Sequence, residues 1–260
     1  MNHIGLTIIT VNYRATNSIN NIERILSGLN KVEYIVVDNS DDFNRVCKFT
    51  KVISGNGNVG FGRACNLGVQ VATYEKILFL NPDVILSINF IDDLFTATKQ
   101  FDQNYIYGVR VRRGLQSDIS KSNIPFLIYE RRHISYDLML VDELPVTLVS
   151  GACMLMSKQR FYALGGFDEK VFLYAEDLDL CLRNKESGGS NILLTKLSVE
   201  HVGGGTEKSN NKYRLMPVLR RLRNSFRGHN VILSKRYPKE FKIVRFITAL
   251  YLASGLTFSK

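Results

Sequence analysis

Three stretches combine residue types and spacing that can do chemistry. In "LFLNPDV" (78–84) an apolar run is cut off by Asn81, Pro82 and Asp83. A carboxylate at the end of a core strand can hold a divalent cation, although Asn-Pro and Asp are also ordinary turn formers. In "YAEDLDLCLR" (174–183), Glu176, Asp177 and Asp179 open a helix-like segment. Acids in a first turn suit the helix dipole, and Asp179 with Arg183 makes an i,i+4 ion pair, which accounts for Asp179. Asp177 shares a face with Cys181 among Leu178, Leu180 and Leu182. A carboxylate at such a partly buried edge is available as a general base. In "SVEHVGGGTEK" (198–208), His201 follows a strand-like run and precedes three glycines. A lone histidine is commonly structural, but here the glycines free the backbone for close approach or loop closure. Asp83 and His201 offer an oxygen and an imidazole nitrogen, a donor set that suits Mg2+ or Mn2+.

The elements that must position these residues alternate. "GLTIITV" (5–11), "YIVVD" (34–38), "KVIS" (51–54) and "KILFL" (76–80) read as strands. An amphipathic "SINNIERILSGL" (18–29) and a stretch from Arg63 to Ala72 read as helices. This rhythm predicts an α/β fold with a Rossmann-like, mostly parallel central sheet flanked by helices. Ligands of such sheets sit beyond the C-terminal strand ends, so Asn12-Tyr13, Asp38-Asn39 and Asn81-Pro82-Asp83 should converge on one crevice. Residues 112–145 have weak periodicity and read as a loop-rich insertion, after which "TLVSGACMLMS" (147–157) returns to strand character.

"GNGNVG" (55–60) fits GxGxxG but lies away from the first βα turn, "TVNYRAT", which has no glycine. A dinucleotide fingerprint belongs at that first turn with an acid about 20 residues on. The motif reads instead as a glycine-permitted loop whose amides at a helix start can face a ligand.

With 260 residues, 45% hydrophobic, 22% charged and five prolines, the composition is that of a globular chain. The four cysteines are scattered without a CxxC pair and read as reduced core thiols in a cytosolic protein. The N-terminal apolar run has no basic region before it and reads as a strand rather than a secretion signal. The net charge of +10 is concentrated in Lys208–Arg245, which holds twelve Lys or Arg against the one acid Glu240. Such asymmetry calls for an anionic partner, membrane phospholipid or nucleic acid.

Taken in order, "TVNYR" (10–14), "VVDNS" (36–40), "GNVGFGRACNLGV" (57–69), "LFLNPDV" (78–84), "GACMLMSKQRFYALGGFDEKVFLYAEDLDLCLR" (151–183) and "HVGGGT" (201–206) resemble the inverting family-2 glycosyltransferases with a GT-A fold. Within these they are most similar to bacterial rhamnosyltransferases of O-antigen and cell-wall assembly. The resemblance implies a catalytic domain over residues 1–207 and a nucleoside diphosphate sugar as donor, with dTDP-L-rhamnose the best match. Thr10, Asn12 and Asp38 match positions that hold the base and ribose. Asn58, Gly60 and Asn66 lie in the block that closes the nucleotide pocket. Asp83 matches the last acid of the DXD metal motif, while Asn81 stands where its first acid would be, which removes one anionic ligand. Asp177 matches the catalytic base of the ED motif, with Glu176 beside it in support. His201 matches a metal-ligating histidine, so Asp83 and His201 would hold Mg2+ or Mn2+.

Residues 208–260 read as a basic helical appendage. "FKIVRFITALYLASGLTF" ends in 13 uncharged residues, too few for a span of about 20. An in-plane helix on an anionic membrane surface is expected, as is, alternatively, a basic solvated helix with an apolar one packed on the catalytic domain. The expectation is therefore a cytoplasmic enzyme, peripheral on the inner face of the bacterial plasma membrane, that extends a lipid-linked saccharide acceptor in surface polysaccharide synthesis. Two rivals remain: a nucleic-acid-binding protein acting through the basic tail, though no recognisable RNA or DNA module is present, and an inactive sugar-nucleotide binder, suggested by Asn81.

Overall fold

The computed structural model describes residues 5–45, 47–113, 116–118, 141–202, 215–239 and 242. Elements follow one another as β1 (Leu6–Asn12), α1 (Thr16–Leu26), β2 (Val32–Asp38), β3 (Thr50–Ile53), α2 (Phe61–Gln70), β4 (Lys76–Leu80), β5 (Val84–Ile85), α3 (Phe90–Ala97), β6 (Tyr105–Arg113), β7 (Gln116–Asp118), β8 (Glu143–Pro145), β9 (Cys153–Ser157), α4 (Lys158–Ala163), α5 (Glu176–Glu186), β10 (Ser190–His201) and α6 (Leu215–Arg236). The strands form one sheet in the order β3-β2-β1-β4-β9-β6-β10-β5, with β7 on β6 and β8 on β10.

The β3-β2-β1-β4 half is parallel throughout, as the alternation of strands and helices dictates. Beyond it the sheet is mixed. β9 runs antiparallel to both β4 and β6, while β6 and β10 pair in parallel. Of the stretch 147–157 only Cys153–Ser157 becomes a strand. The preceding residues spend their backbone groups elsewhere: Val149 N–H points at the Cys181 thiol, Gly151 N–H donates to Asp177, and the Thr147 carbonyl accepts from Asn191. Within the insertion, β7 and β8 are short strands, and residues 119–140 lie outside the described residues.

Central strands are buried on both faces, which is why they read as continuous apolar runs. Leu6, Ile8, Tyr34, Val36, Leu78 and Leu80 point to one layer, with Ile19, Ile22 and Leu26 of α1 and Ile91 and Leu94 of α3. The alternate residues Ile9, Val11, Ile35, Val37, Ile77 and Phe79 meet α2, α4 and α5 through Ala64, Cys65, Phe161 and Leu180. The sheet therefore lies between two helical layers, and the C-terminal ends of its parallel strands β1, β2 and β4 share an edge with the N-terminal end of β9.

The glycine loop before α2 is shaped by packing. Gly60 has φ +87, and a Cβ there would stand 2.3 Å from the Phe172 carbonyl oxygen. Phe61 N–H donates to that same oxygen at 3.0 Å. The first amide of α2 is thus committed to the loop before α5 and is not free for a ligand.

Helix α6 lies along α5. Ile232 is buried with Ala175 and Leu178, Lys235 pairs with Asp168, and Arg236 pairs with Glu186. The basic helix therefore packs on the catalytic domain, whereas the alternative expectation leaves it solvated and packs the apolar stretch instead. The apolar stretch 246–258 lies outside the described residues, and no helix among those described is long and apolar enough to cross a membrane.

Candidate active site

Polar residues gather where the parallel strands end. Asn12 closes β1, and its amide donates to Asp38 Oδ1 and to Asp42 Oδ1, each at 2.8 Å, while its carbonyl accepts from Ala15 N–H. Burial works against the charge of Asp38, but N–H donors from Phe43 and Ser40, with Asn12 and the Ser40 hydroxyl, hold its carboxyl below the ordinary value. Asn12 and Asp38 are both buried, and Asn12 joins the Phe43 and Ser40 N–H groups in favouring the Asp38 carboxylate. Asp42, whose side of the network is exposed, is a rim carboxylate that sequence reasoning passed over in the "DNSDD" run.

Thr10 is placed differently from the sequence expectation. It is fully buried, its hydroxyl facing that of Tyr34 inside the sheet, because strand alternation sends it into the same layer as Ile8. Its side chain lies under the site rather than on it. Asn66 is also occupied by the protein: its amide donates to the Phe167 carbonyl and accepts from Phe167 N–H, at 3.0 and 2.9 Å. It ties α2 to the loop of residues 165–169. Asn58 stays exposed and accepts from Gly60 N–H, and the Gly60 carbonyl accepts from Asn39 at 3.0 Å.

At the end of β4 the NPD turn is joined to the next strand by an Asn81 N–H bond to the Ala152 carbonyl, 2.9 Å. Asp83 Oδ1 is 2.8 Å from His201 Nε2, because β5 and β10 pair with His201 opposite Val84. Two residues 118 positions apart are thereby neighbours. His201 Nδ1 is buried without a hydrogen-bond partner. Among the described residues no third His, Cys, Asp or Glu joins the pair. An oxygen and an imidazole nitrogen at contact distance, beside an unsatisfied ring nitrogen, fit a divalent cation that draws its remaining ligands from a bound anion and water. Residues 203–214, including the three glycines, lie outside the described residues.

The second carboxylate group opens α5. Tyr174 and Ala175 both have left-handed backbone, φ +69 and +78, a conformation costing about 1–2 kcal/mol for each such residue. The turn aims Asp177 at the residue 150–152 segment: Gly151 N–H donates to its Oδ2 at 3.0 Å and Leu178 N–H to its Oδ1 at 2.8 Å. Neighbouring residues of one segment thus hold the NPD turn, through Ala152, and the α5 carboxylate, through Gly151. Nothing in the local sequence signals that link, since "GAC" reads as the start of a strand.

Burial raises the carboxyls of both Asp177 and Glu176, and Glu176 is raised further by the charge of Asp177. Glu176 Oε2 is buried without a donor, whereas Asp177 accepts two N–H groups. The proton held by the pair therefore belongs on Glu176, leaving Asp177 ionised. A buried acid whose value is raised in the fold binds a proton more tightly folded than unfolded, so its contribution to stability falls as pH rises above the unfolded value. Glu176→Gln removes that contribution. Its melting temperature relative to the parent chain is expected to rise between pH 5 and pH 8 in a paired thermal series, and a flat difference would show Glu176 to be ionised.

Comparison with known proteins agrees with this architecture. The model of "Glycosyl transferase family 2" matches residues 7–165. The low-salt glycan biosynthesis hexosyltransferase Agl10 of Haloferax volcanii is 25% identical over 267 residues, covering 96% of this chain and 82% of that protein. The N-acetylglucosaminyl-diphospho-decaprenol L-rhamnosyltransferase of Mycobacterium tuberculosis is 26% identical over 178 residues, covering 58% of each. Among solved structures, the mannosyltransferase PcManGT from Pyrobaculum calidifontis, in complex with GDP-Man and Mn2+, superposes with a TM-score of 0.56 at 15% identity, over 77% of this chain and 57% of that one. With a family model spanning more than half of its length and a sheet built the same way, the chain belongs to glycosyl transferase family 2 and is a glycosyltransferase with a GT-A fold.

Proposed function

We propose that the chain transfers a sugar, with inversion, from a nucleoside diphosphate donor to a hydroxyl of a lipid-linked saccharide, and that the donor is dTDP-L-rhamnose. The observation that carries the reading is the shared 150–152 segment, which holds the NPD turn and Asp177 on one sheet edge. Asp177 takes the acceptor proton as the acceptor oxygen bonds to the anomeric carbon, and the bond from that carbon to the diphosphate breaks on the opposite face. One base acting in line on one face gives inversion, as with the single water-activating carboxylate of inverting hydrolases. A carboxyl raised by burial is a stronger base than an ordinary carboxylate, which suits this task. Asp83 and His201 are the residues that would hold Mg2+ or Mn2+, which supplies charge neutralisation for the departing diphosphate. Asp38, Asn12 and the Asn58–Gly60 loop would border the nucleotide, and Asn81, whose N–H ties the NPD turn to Ala152, would meet the donor beside Asp83.

The rhamnosyl donor and the lipid-linked acceptor are supported by what the mycobacterial relative's name describes. The membrane partner is supported by α6, where Arg223 and Arg227 are exposed on either side of Phe226, itself 62% exposed. Cations flanking an exposed aromatic suit an anionic interface. On this reading residues 1–207 form the catalytic unit and 208–260 the segment that brings it to the inner face of the plasma membrane. The test is a panel of nucleotide sugars with purified full-length protein and Mg2+ or Mn2+, following nucleoside diphosphate release with a polyprenyl-diphosphate saccharide. Turnover of dTDP-L-rhamnose above other donors supports the reading, and preference for another donor refutes the rhamnose assignment.

A further inference from the structure

The segment that leads into α5 and carries Asp177 is gripped from two sides. On one side α2 holds it. Asn66 donates to and accepts from the Phe167 backbone at 3.0 and 2.9 Å, and the Phe172 carbonyl accepts Phe61 N–H at 3.0 Å. Those bonds fix the segment as far as Phe172. The left-handed residues Tyr174 and Ala175, φ +69 and +78, come after the last of them, and they set the direction in which α5 presents Asp177.

The second grip comes from α6. A Cβ on Gly228 would stand 2.1 Å from the Tyr174 carbonyl oxygen and 3.3 Å from Val171, so the helix backbone itself lies against the turn. Glycine is unfavourable inside a helix, and Gly228 has no left-handed backbone to excuse it. The close approach is what a glycine supplies at this position. One turn on, Ile232 is buried with Ala175 and Leu178, the residues on either side of Glu176 and Asp177. Lys235 then pairs with Asp168, which draws the helix onto the same segment.

We propose that Gly228 is a positioning residue of the reaction: by admitting α6 against the Tyr174 carbonyl it holds the left-handed turn in place and keeps Asp177 on the Gly151 and Leu178 N–H groups. The proposal rests on Asp177 being the base. Residues with side chains keep a left-handed backbone only where surrounding packing imposes it, and Gly228 with Ile232 is such packing, supplied from outside the segment. The atom that a methyl group at 228 would strike belongs to the backbone and cannot swing away, so turn or helix must move by about 1 Å to restore an ordinary contact. A misplacement of about 1 Å can cost about 10²-fold in rate. Phe172 stays tied to α2, so the nucleotide side keeps its shape.

The test compares Gly228→Ala with the full-length parent. Amide hydrogen exchange at Gly151, which donates to Asp177 Oδ2 from another part of the chain, is expected to quicken about tenfold as that bond loosens. Binding of dTDP with Mn2+, measured by calorimetry, is expected to stay unchanged. With the best donor of the nucleotide-sugar panel, kcat is expected to fall about 10²-fold at constant donor KM. In an Asp177→Asn background the same substitution is expected to cost nothing further, because the contact acts through that carboxylate. A glycine with a purely structural role predicts otherwise: alanine strengthens the helix and leaves Gly151 exchange and kcat where they are. Ile232→Ala, which removes the apolar part of the contact without a clash, is read in the same way should Gly228→Ala fail to fold, with a smaller fall in kcat expected. Unchanged exchange at Gly151 in the folded variant, or an undiminished loss of kcat in the Asp177→Asn background, overturns the proposal. Turnover surviving in Asp177→Asn alone would instead remove the base assignment, an outcome on which the exchange measurement does not depend.

Discussion

Asp177→Asn is expected to lower kcat by about 10²- to 10⁴-fold, the range a positioned general base contributes, with little change in nucleotide binding. The amide keeps an oxygen that can accept from Gly151 N–H, the 3.0 Å bond that fixes the carboxylate, so the turn before α5 keeps its anchor. What is lost is the ability to take a proton. The parent enzyme should show the matching pH dependence. Burial raises the Asp177 carboxyl, so activity should fall as pH drops through a midpoint above the ordinary carboxylate range, because protonation removes the base. Nucleoside diphosphate release in the presence of acceptor, measured from pH 5 to pH 9, tests both statements. Turnover intact in the variant would mean that another group deprotonates the acceptor.

The second large effect concerns the pair of donors at the other end of the site. Asp83→Ala and His201→Ala are each expected to lower kcat by about 10²- to 10³-fold, since a cation opposite a leaving diphosphate is worth several kcal/mol and each 1.36 kcal/mol is tenfold. The two should not behave alike. Asp83 supplies the pair's anionic oxygen, and with Asn81 where a second acid would stand, no other side chain of the turn replaces that charge. His201 is neutral as a ligand, so its loss should weaken Mn2+ more than Mg2+, which takes oxygen ligands by preference. Titrating each metal back into chelator-treated enzyme reads this as a shift in half-maximal metal concentration. An unchanged metal requirement in His201→Ala would remove the histidine from the metal set and leave Asp177 untouched.

Much of the catalytic half of the molecule could be read along the chain. Apolar runs such as "YIVVD" and "KILFL" are strands because residues buried on both faces leave a local record, and the polar residues that end them mark the ligand edge. The residue types of Asp83 and His201 make them a candidate donor pair in the sequence, but the contact itself depends on β5 and β10 meeting antiparallel at Val84. Thr10 and Asn66 show the opposite case. Each occupies a position where ligand contact was expected, yet one is turned into the sheet against Tyr34 and the other is tied to the backbone of Phe167. A residue's type tells what it can bond, whereas its neighbours decide what it does bond.

The sequence by itself determined the parallel strand-and-helix rhythm, the ends of β1, β2 and β4, and the carboxylates that could act. These depend on periodicity and turn chemistry over a few residues. Only the tertiary structure decided that Gly151 and Ala152 join Asp177 to the NPD turn, that one oxygen of Glu176, Oε2, is buried without a donor, and that α6 lies on the Tyr174–Ala175 turn. The reason is physical: each is a contact or a loss of solvent between groups far apart in the chain. Burial and electrostatic coupling, which tune a base, exist only once those groups are packed together.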